Sequence, residues 1–162
     1  MTLSPNEKYE HPISLAIEGG SLVCRRHQCE VWRFSVDKLL LLAEYTNDHG
    51  PMFNDYYFVF WSREDGQLWE ATVSFYAEGR DTALEVLSKR LNADLSLGLT
   101  GSTEWASRVV WPPELAGHPY FAFREVLPAT WPQTLGRRCF GPALEYFLTE
   151  EVQDHLNRYS AS

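Results

Sequence analysis

The chain is 162 residues long, 44% hydrophobic and 14% aromatic. That composition excludes an intrinsically disordered chain and lets one domain bury its own core without disulfide or metal staples. Its 22 acidic and 14 basic residues give a formal net charge of -8, so the mean field repels phosphate backbones and anionic lipid head groups. The basic pairs Arg25-Arg26, Lys89-Arg90 and Arg137-Arg138 are isolated, and neither nucleic acid nor a membrane is an expected partner. The charge suits another protein, one of basic character. No apolar run approaches the roughly 18–20 residues of a spanning helix. Met1 to Pro12 are polar, read as a flexible segment without a secretory signal. Three cysteines, Cys24, Cys29 and Cys139, make a poor disulfide framework and suit a reducing compartment, so a cytoplasmic location is expected.

In chain order, Ile13 to Ile17 and Ser21 to Arg25 flank a Gly19-Gly20 turn and read as a hairpin. Val31 to Val36 and Leu39 to Thr46 read as further strands, the second apolar on both faces through Ala43 and therefore central. Tyr56 to Trp61 and Leu68 to Tyr76 flank an Asp65-Gly66 turn. In the second of these, Trp69, Ala71, Val73 and Phe75 alternate with Glu70, Thr72, Ser74 and Tyr76, predicting one dry face and one largely wet face. Thr82 and Glu85 have capping-box spacing ahead of the apolar stripe Leu84, Leu87 and Leu91, which ends near Asn92. Residues 93–140 read as irregular and rich in Gly and Pro. Gly141 and Pro142 then open a helix predicted over 141–159, with Leu144, Phe147, Leu148, Val152, His155, Leu156 and Tyr159 on one face.

The whole is expected to be a single α+β domain, an antiparallel sheet of five to six strands packed with two amphipathic helices. The strand order and hairpin spacing over roughly residues 13–92 resemble those of pleckstrin-homology-like barrels. The resemblance implies a sheet closed by a helix and transfers no functional residues.

Several clusters carry possible chemistry. Glu44, Asp48, His49 and Asp55 gather near a strand end, where carboxylates beside a histidine can bind a divalent metal or share acid–base work. The plainer reading makes Asn47, Asp48, Gly50 and Pro51 turn formers. Cys24, His27 and Cys29 fall short of a four-ligand zinc set, and neither metal nor cofactor is expected. Gly98 to Ser102 resembles a phosphate-cradling loop but lacks its lysine, and reads as a connector. Glu151 and His155 stand four apart, a separation that can chelate a metal or hold a hydrogen-bonded pair, but His155 lies on the apolar stripe and reads as a satisfied core-edge histidine. Two Trp-Pro pairs, Trp111-Pro112 and Trp131-Pro132, enclose His118, Pro119, Tyr120, Phe121 and Phe123; these read as core plugs or as an aromatic recognition surface. The functional expectation is a small acidic, non-enzymatic binding or protein-interaction module contacting its partner through Glu44, Asp48, His49, Asp55, Trp111 or Trp131. The alternative is a metal-dependent or acid–base enzyme that uses the Glu44 to Asp55 loop.

Overall fold

The computed structural model describes residues 13–48, 55–125 and 144–160. Strands β1 (Ile13–Glu18), β2 (Ser21–Arg26) and β3 (Cys29–Ser35) form an antiparallel three-stranded sheet. Both of its connections are two-residue turns: Gly19-Gly20, and His27-Gln28 with φ of 51° and 64°. A single 3-10 turn at Val36–Lys38 then carries the chain to β4 (Leu39–Thr46). Strands β5 (Tyr56–Glu64) and β6 (Gln67–Ser74) follow, then helix α1 (Arg80–Leu91) and β7 (Ala106–Trp111). These strands build a second antiparallel sheet in the order β6-β5-β4-β7. Strands β8 (Phe121–Glu125) and β9 (Leu144–Leu148) pair as a third sheet, and α2 (Glu150–Ser160) ends the described chain.

The four-stranded sheet is the middle layer. Leu42, Phe58, Phe60, Ala71, Val73 and Val110 on one face meet Leu15, Leu22, Cys24 and Phe34 of the first sheet and Ala83, Leu84 and Leu87 of α1. On the other face Leu41, Ala43, Val59 and Val109 meet Tyr120, Phe121, and Val152 and Leu156 of α2. That double coverage explains the unbroken apolar run at Leu39–Ala43, and β4 lies inside the sheet as expected. Helix α1 is anchored to β1, where Leu15 N–H donates to the Glu78 carbonyl and Glu78 N–H to the Ile13 carbonyl, both at 2.8 Å. Gly79 makes this approach possible: with φ of 75°, a Cβ there would lie 2.7 Å from the Leu15 carbonyl oxygen.

The architecture is α+β, but four expectations change. The strands form three sheets of three, four and two strands in place of one sheet of five or six, and the described residues form no closed barrel. After the 3-10 turn β4 pairs with β5 and β7, and among the described residues β3 has no strand beyond it. Second, the stretch expected to be irregular contains β7 and β8. Third, the helix predicted over 141–159 spans only Glu150–Ser160, and Leu144–Leu148 is a strand. Leu144, Phe147 and Leu148 fit helical spacing, yet β9 satisfies its backbone by pairing with β8. Fourth, the N-cap of α1 is Gly79, without a side-chain cap bond, in place of the Thr82 capping box. On β6, Ala71 and Val73 are buried as expected, whereas Trp69 on this edge strand is 52% exposed. Met1 to Pro12, Gly141 and Pro142 lie outside the described residues.

These assignments separate two substitutions. Leu156→Ala removes a buried contact of α2 and should cost about 2–5 kcal/mol. Phe147, opposite Ala122 on β9 and 38% exposed, should cost about 1 kcal/mol or less when changed to Ala. Chemical denaturation checks both, and equal large losses would restore a helix-packed Phe147.

Candidate functional site

Glu44 is the charged residue that β4 carries into the interior. The strand alternation turns its wholly buried side chain toward the α1 side of the sheet, among Leu42, Phe58 and Phe60. A bare carboxylate there would be prohibitively costly, so its partners decide what it does. Arg108 of β7, directly opposite in register, donates Nε–H to Oε1 at 2.9 Å. Gly98 N–H donates to the same oxygen at 2.7 Å, and the Tyr56 hydroxyl donates to Oε2. Arg108 also donates through an Nη to the Ser96 carbonyl.

The glycine loop that resembles a phosphate cradle therefore does hold an anion, but an internal one. Gly98 is required by proximity, because a Cβ there would lie 2.6–2.8 Å from the Arg108 guanidinium. Arg108→Ala would strand the Glu44 charge and should cost about 3–5 kcal/mol. Gly98→Ala should also destabilise, and by much less in the Arg108→Ala background. Equal costs for Gly98→Ala in the two backgrounds, measured by urea denaturation, would contradict this packing.

The other members of the strand-end cluster go elsewhere. Asp48 is exposed and accepts the Trp105 indole N–H at 2.9 Å. Asp55 accepts the Tyr76 hydroxyl at 2.7 Å. Glu44, Asp48 and Asp55 thus have separate protein donors in place of a shared one, and His49 lies outside the described residues. Among the described residues no group of three His, Cys, Asp or Glu is placed to hold a metal ion.

The chain does reverse at His27-Gln28, yet register sets Cys24 opposite Trp32 and Cys29 opposite Arg26. Cys24 is buried, which pushes its thiol up to about 11, and Cys29 is exposed. His155 is buried on α2; since the Leu40 carbonyl at 3.0 Å can only accept, Nε2 carries the hydrogen. Trp111 is half-buried and packs against the α1-side core. Trp131 lies outside the described residues.

The opposite face of the middle sheet holds a cleft of about 180 Å³, and this is the stronger candidate. Its floor is Tyr45 of β4, Tyr57 and Val59 of β5, and Glu70 and Thr72 of β6; Trp105, Tyr120, Phe121, Tyr146 and Asn47 complete it. Tyr45 and Tyr57 are cross-strand partners, stacked with centroids 5.1 Å apart. Phe121 stands edge-on to Tyr45 at 6.0 Å and to Trp105 at 6.3 Å, and Tyr146 tilts against it at 5.4 Å. Ser107 Oγ accepts the backbone N–H of Tyr120 at 3.2 Å and of Phe121 at 3.0 Å, tying the start of β8 to β7. At the base a relay runs from Trp61 Nε1–H to the Tyr120 oxygen (2.9 Å) and from the Tyr120 hydroxyl to Glu70 Oε1 (2.7 Å).

Outside the cleft the aromatic surface continues. Trp105 is 40% exposed, Phe123 47% and Tyr146 65%, and Phe123 contacts both Trp105 and Phe121. Tyr120, Phe121 and Phe123 belong to the stretch read either as core plugs or as a recognition surface; Tyr120 and Phe121 are buried and Phe123 is exposed. Tyr45, Tyr57, Glu70, Trp105 and Tyr146 were not singled out. The available signal was parity: Tyr45 and Tyr57 alternate with Glu44 and Tyr56, and Glu70 and Thr72 share one face of β6.

Burial pushes the Tyr45 hydroxyl up to about 12 and raises Tyr56 and Tyr120 strongly. The secondary causes are Tyr57 for Tyr45, the Glu44 hydrogen bond for Tyr56 and the Glu70 charge for Tyr120. Unfolded tyrosines lose their protons near the ordinary value of 10.0, whereas these three lose theirs higher. The unfolded state then binds fewer protons, so the stability they protect is intact below about pH 10 and falls as pH rises through the folded values. Phenolate absorbance should show tyrosines that ionise only together with unfolding. Full reversible ionisation of all tyrosines near pH 10 with the fold intact would contradict their burial. Comparisons with protein-family models, curated proteins and solved structures find no match.

Proposed function

We propose that this chain is a small acidic, non-enzymatic binding module whose partner is held by the cleft between the four-stranded sheet and β8–β9. The supporting observation is the ring of aromatic side chains at a concave opening, with Trp105, Phe123 and Tyr146 facing water where a folded chain ordinarily buries such residues. Rings held by mutual contacts and by a Trp105–Asp48 hydrogen bond lose little freedom on binding, which is what an anchor site needs. Net charge favours a partner with a basic contact surface. Free Cys24 and Cys29 are in keeping with a reducing compartment such as the cytoplasm.

The alternative, a metal-dependent or acid–base enzyme at the Glu44 to Asp55 loop, requires carboxylates that converge on open space. Glu44 is instead taken up by Tyr56, Gly98 and Arg108, which favours the binding reading. Amide-shift mapping with a library of small aromatic, amine and acid fragments tests the choice. Perturbations should cluster on Tyr45, Tyr57, Glu70, Thr72, Trp105 and Phe121. Clustering on Asp48, Asp55 and Gly98 to Ser102 would transfer the site to the loop.

A further inference from the structure

We propose that the cleft is a receptor for a methylated ammonium group, a compact cation bearing methyls where an ordinary amine bears hydrogens. This rests on the reading of the cleft as the binding surface and names what that surface recognises. Size comes first. Sites that engulf a drug-sized molecule run from about 300 to 1,000 Å³, whereas a cavity of about 150 Å³ takes a single benzene-sized group. At about 180 Å³ the cleft accepts a head group presented by a longer molecule.

Charge comes second. Among the described residues the lining contains Glu70 and no Lys, Arg or His, and Asp48 sits at the rim on the Trp105 indole. An anion would meet repulsion from both carboxylates, in a protein already at -8. The Trp105 indole N–H is directed to Asp48 and the Tyr120 hydroxyl to Glu70, so these donors turn toward protein acceptors and not toward an anion in the cleft.

The third argument separates a methylated cation from a plain one. An –NH₃⁺ group must find acceptors for three N–H bonds when it leaves water. Here most of the lining is aromatic, the polar acceptors are few, Glu70, Thr72 and Asn47, and one of the Glu70 oxygens, Oε1, already accepts from Tyr120. A fully methylated, quaternary ammonium asks for no such bonds: its charge is spread over methyl groups that pack on ring faces, where the aromatic quadrupole attracts it. Six aromatic residues line the cleft, Tyr45, Tyr57, Trp105, Tyr120, Phe121 and Tyr146, with one carboxylate among them, the combination suited to that chemistry. The head group could be carried by a methylated lysine of a protein or by a free quaternary amine.

Calorimetric titration of the full chain with choline and with 3,3-dimethylbutan-1-ol, its uncharged carbon isostere, isolates the charge. Choline should bind at least about tenfold more tightly. Equal affinities, or no binding of choline at millimolar concentration, would overturn the proposal. Glu70→Gln retains an acceptor for Tyr120 and should weaken choline about tenfold, with Trp105→Ala at least as costly. Unchanged affinity in both would also overturn it. Where a variant unfolds, amide-shift mapping of choline on the unsubstituted chain decides, since shifts away from Tyr45, Glu70 and Trp105 count against the site. A short unstructured peptide bearing trimethyllysine, beside its unmethylated twin, identifies the source: methyl-dependent binding tighter than that of choline assigns a protein side chain, and equal affinity a free amine. Fragments that map to the cleft while choline fails would leave the binding module standing and remove the cation. A cleft silent to every probe would remove both.

Discussion

Burial of the four-stranded sheet on both faces is the constraint from which the rest follows. A strand covered on one side can turn its polar residues to water, but β4 has no wet side: Leu39 to Glu44 are all buried. Every polar group it carries must then find its partner inside the protein. Glu44 meets that demand with Arg108 from β7, Tyr56 from β5 and the Gly98 amide, so one carboxylate clamps two strands and the loop that precedes β7. The same bond set explains why residue 98 lacks a side chain.

The two faces are covered unequally, and the difference creates the site. A three-stranded sheet and a twelve-residue helix close the α1 side, where Leu42, Phe58 and Phe60 reach essentially complete burial. Two five-residue strands and α2 cover the other side. There Tyr45, Tyr57, Glu70 and Thr72 line a cleft, and the aromatics of β8 and β9 form its wall. The buried carboxylate network lies on one face of β4 and the cleft on the other, one residue apart at Glu44 and Tyr45.

Local pattern carried much of this into the sequence. The Gly19-Gly20 and Asp65-Gly66 turns, the two-faced apolar run of β4 and the stripe of α1 are short-range signals, and each element is present. Sheet partition was not legible, because whether β4 continues from β3 or starts a new layer depends on a three-residue turn and on the distant β7. Leu144 to Leu148 misled because five residues satisfy helical and strand spacing alike, and pairing with β8 decides between them. In the sequence Glu44 reads with its neighbours as a strand-end cluster, because the partner that takes it into the interior, Arg108, lies 64 positions away. The cleft draws on six separate segments, and no single stretch announces it.

The separation of the two faces can be tested in one spectrum, the aromatic and amide resonances of Glu44→Gln compared with those of the unsubstituted chain. Removing the charge without changing the size should shift Tyr56, Gly98 and Arg108 while leaving the rings of Tyr45, Tyr57, Phe121 and Tyr146 in place. Equal disturbance of the cleft rings would mean that the two faces are not independent and would contradict the separation of the Glu44 network from the cleft.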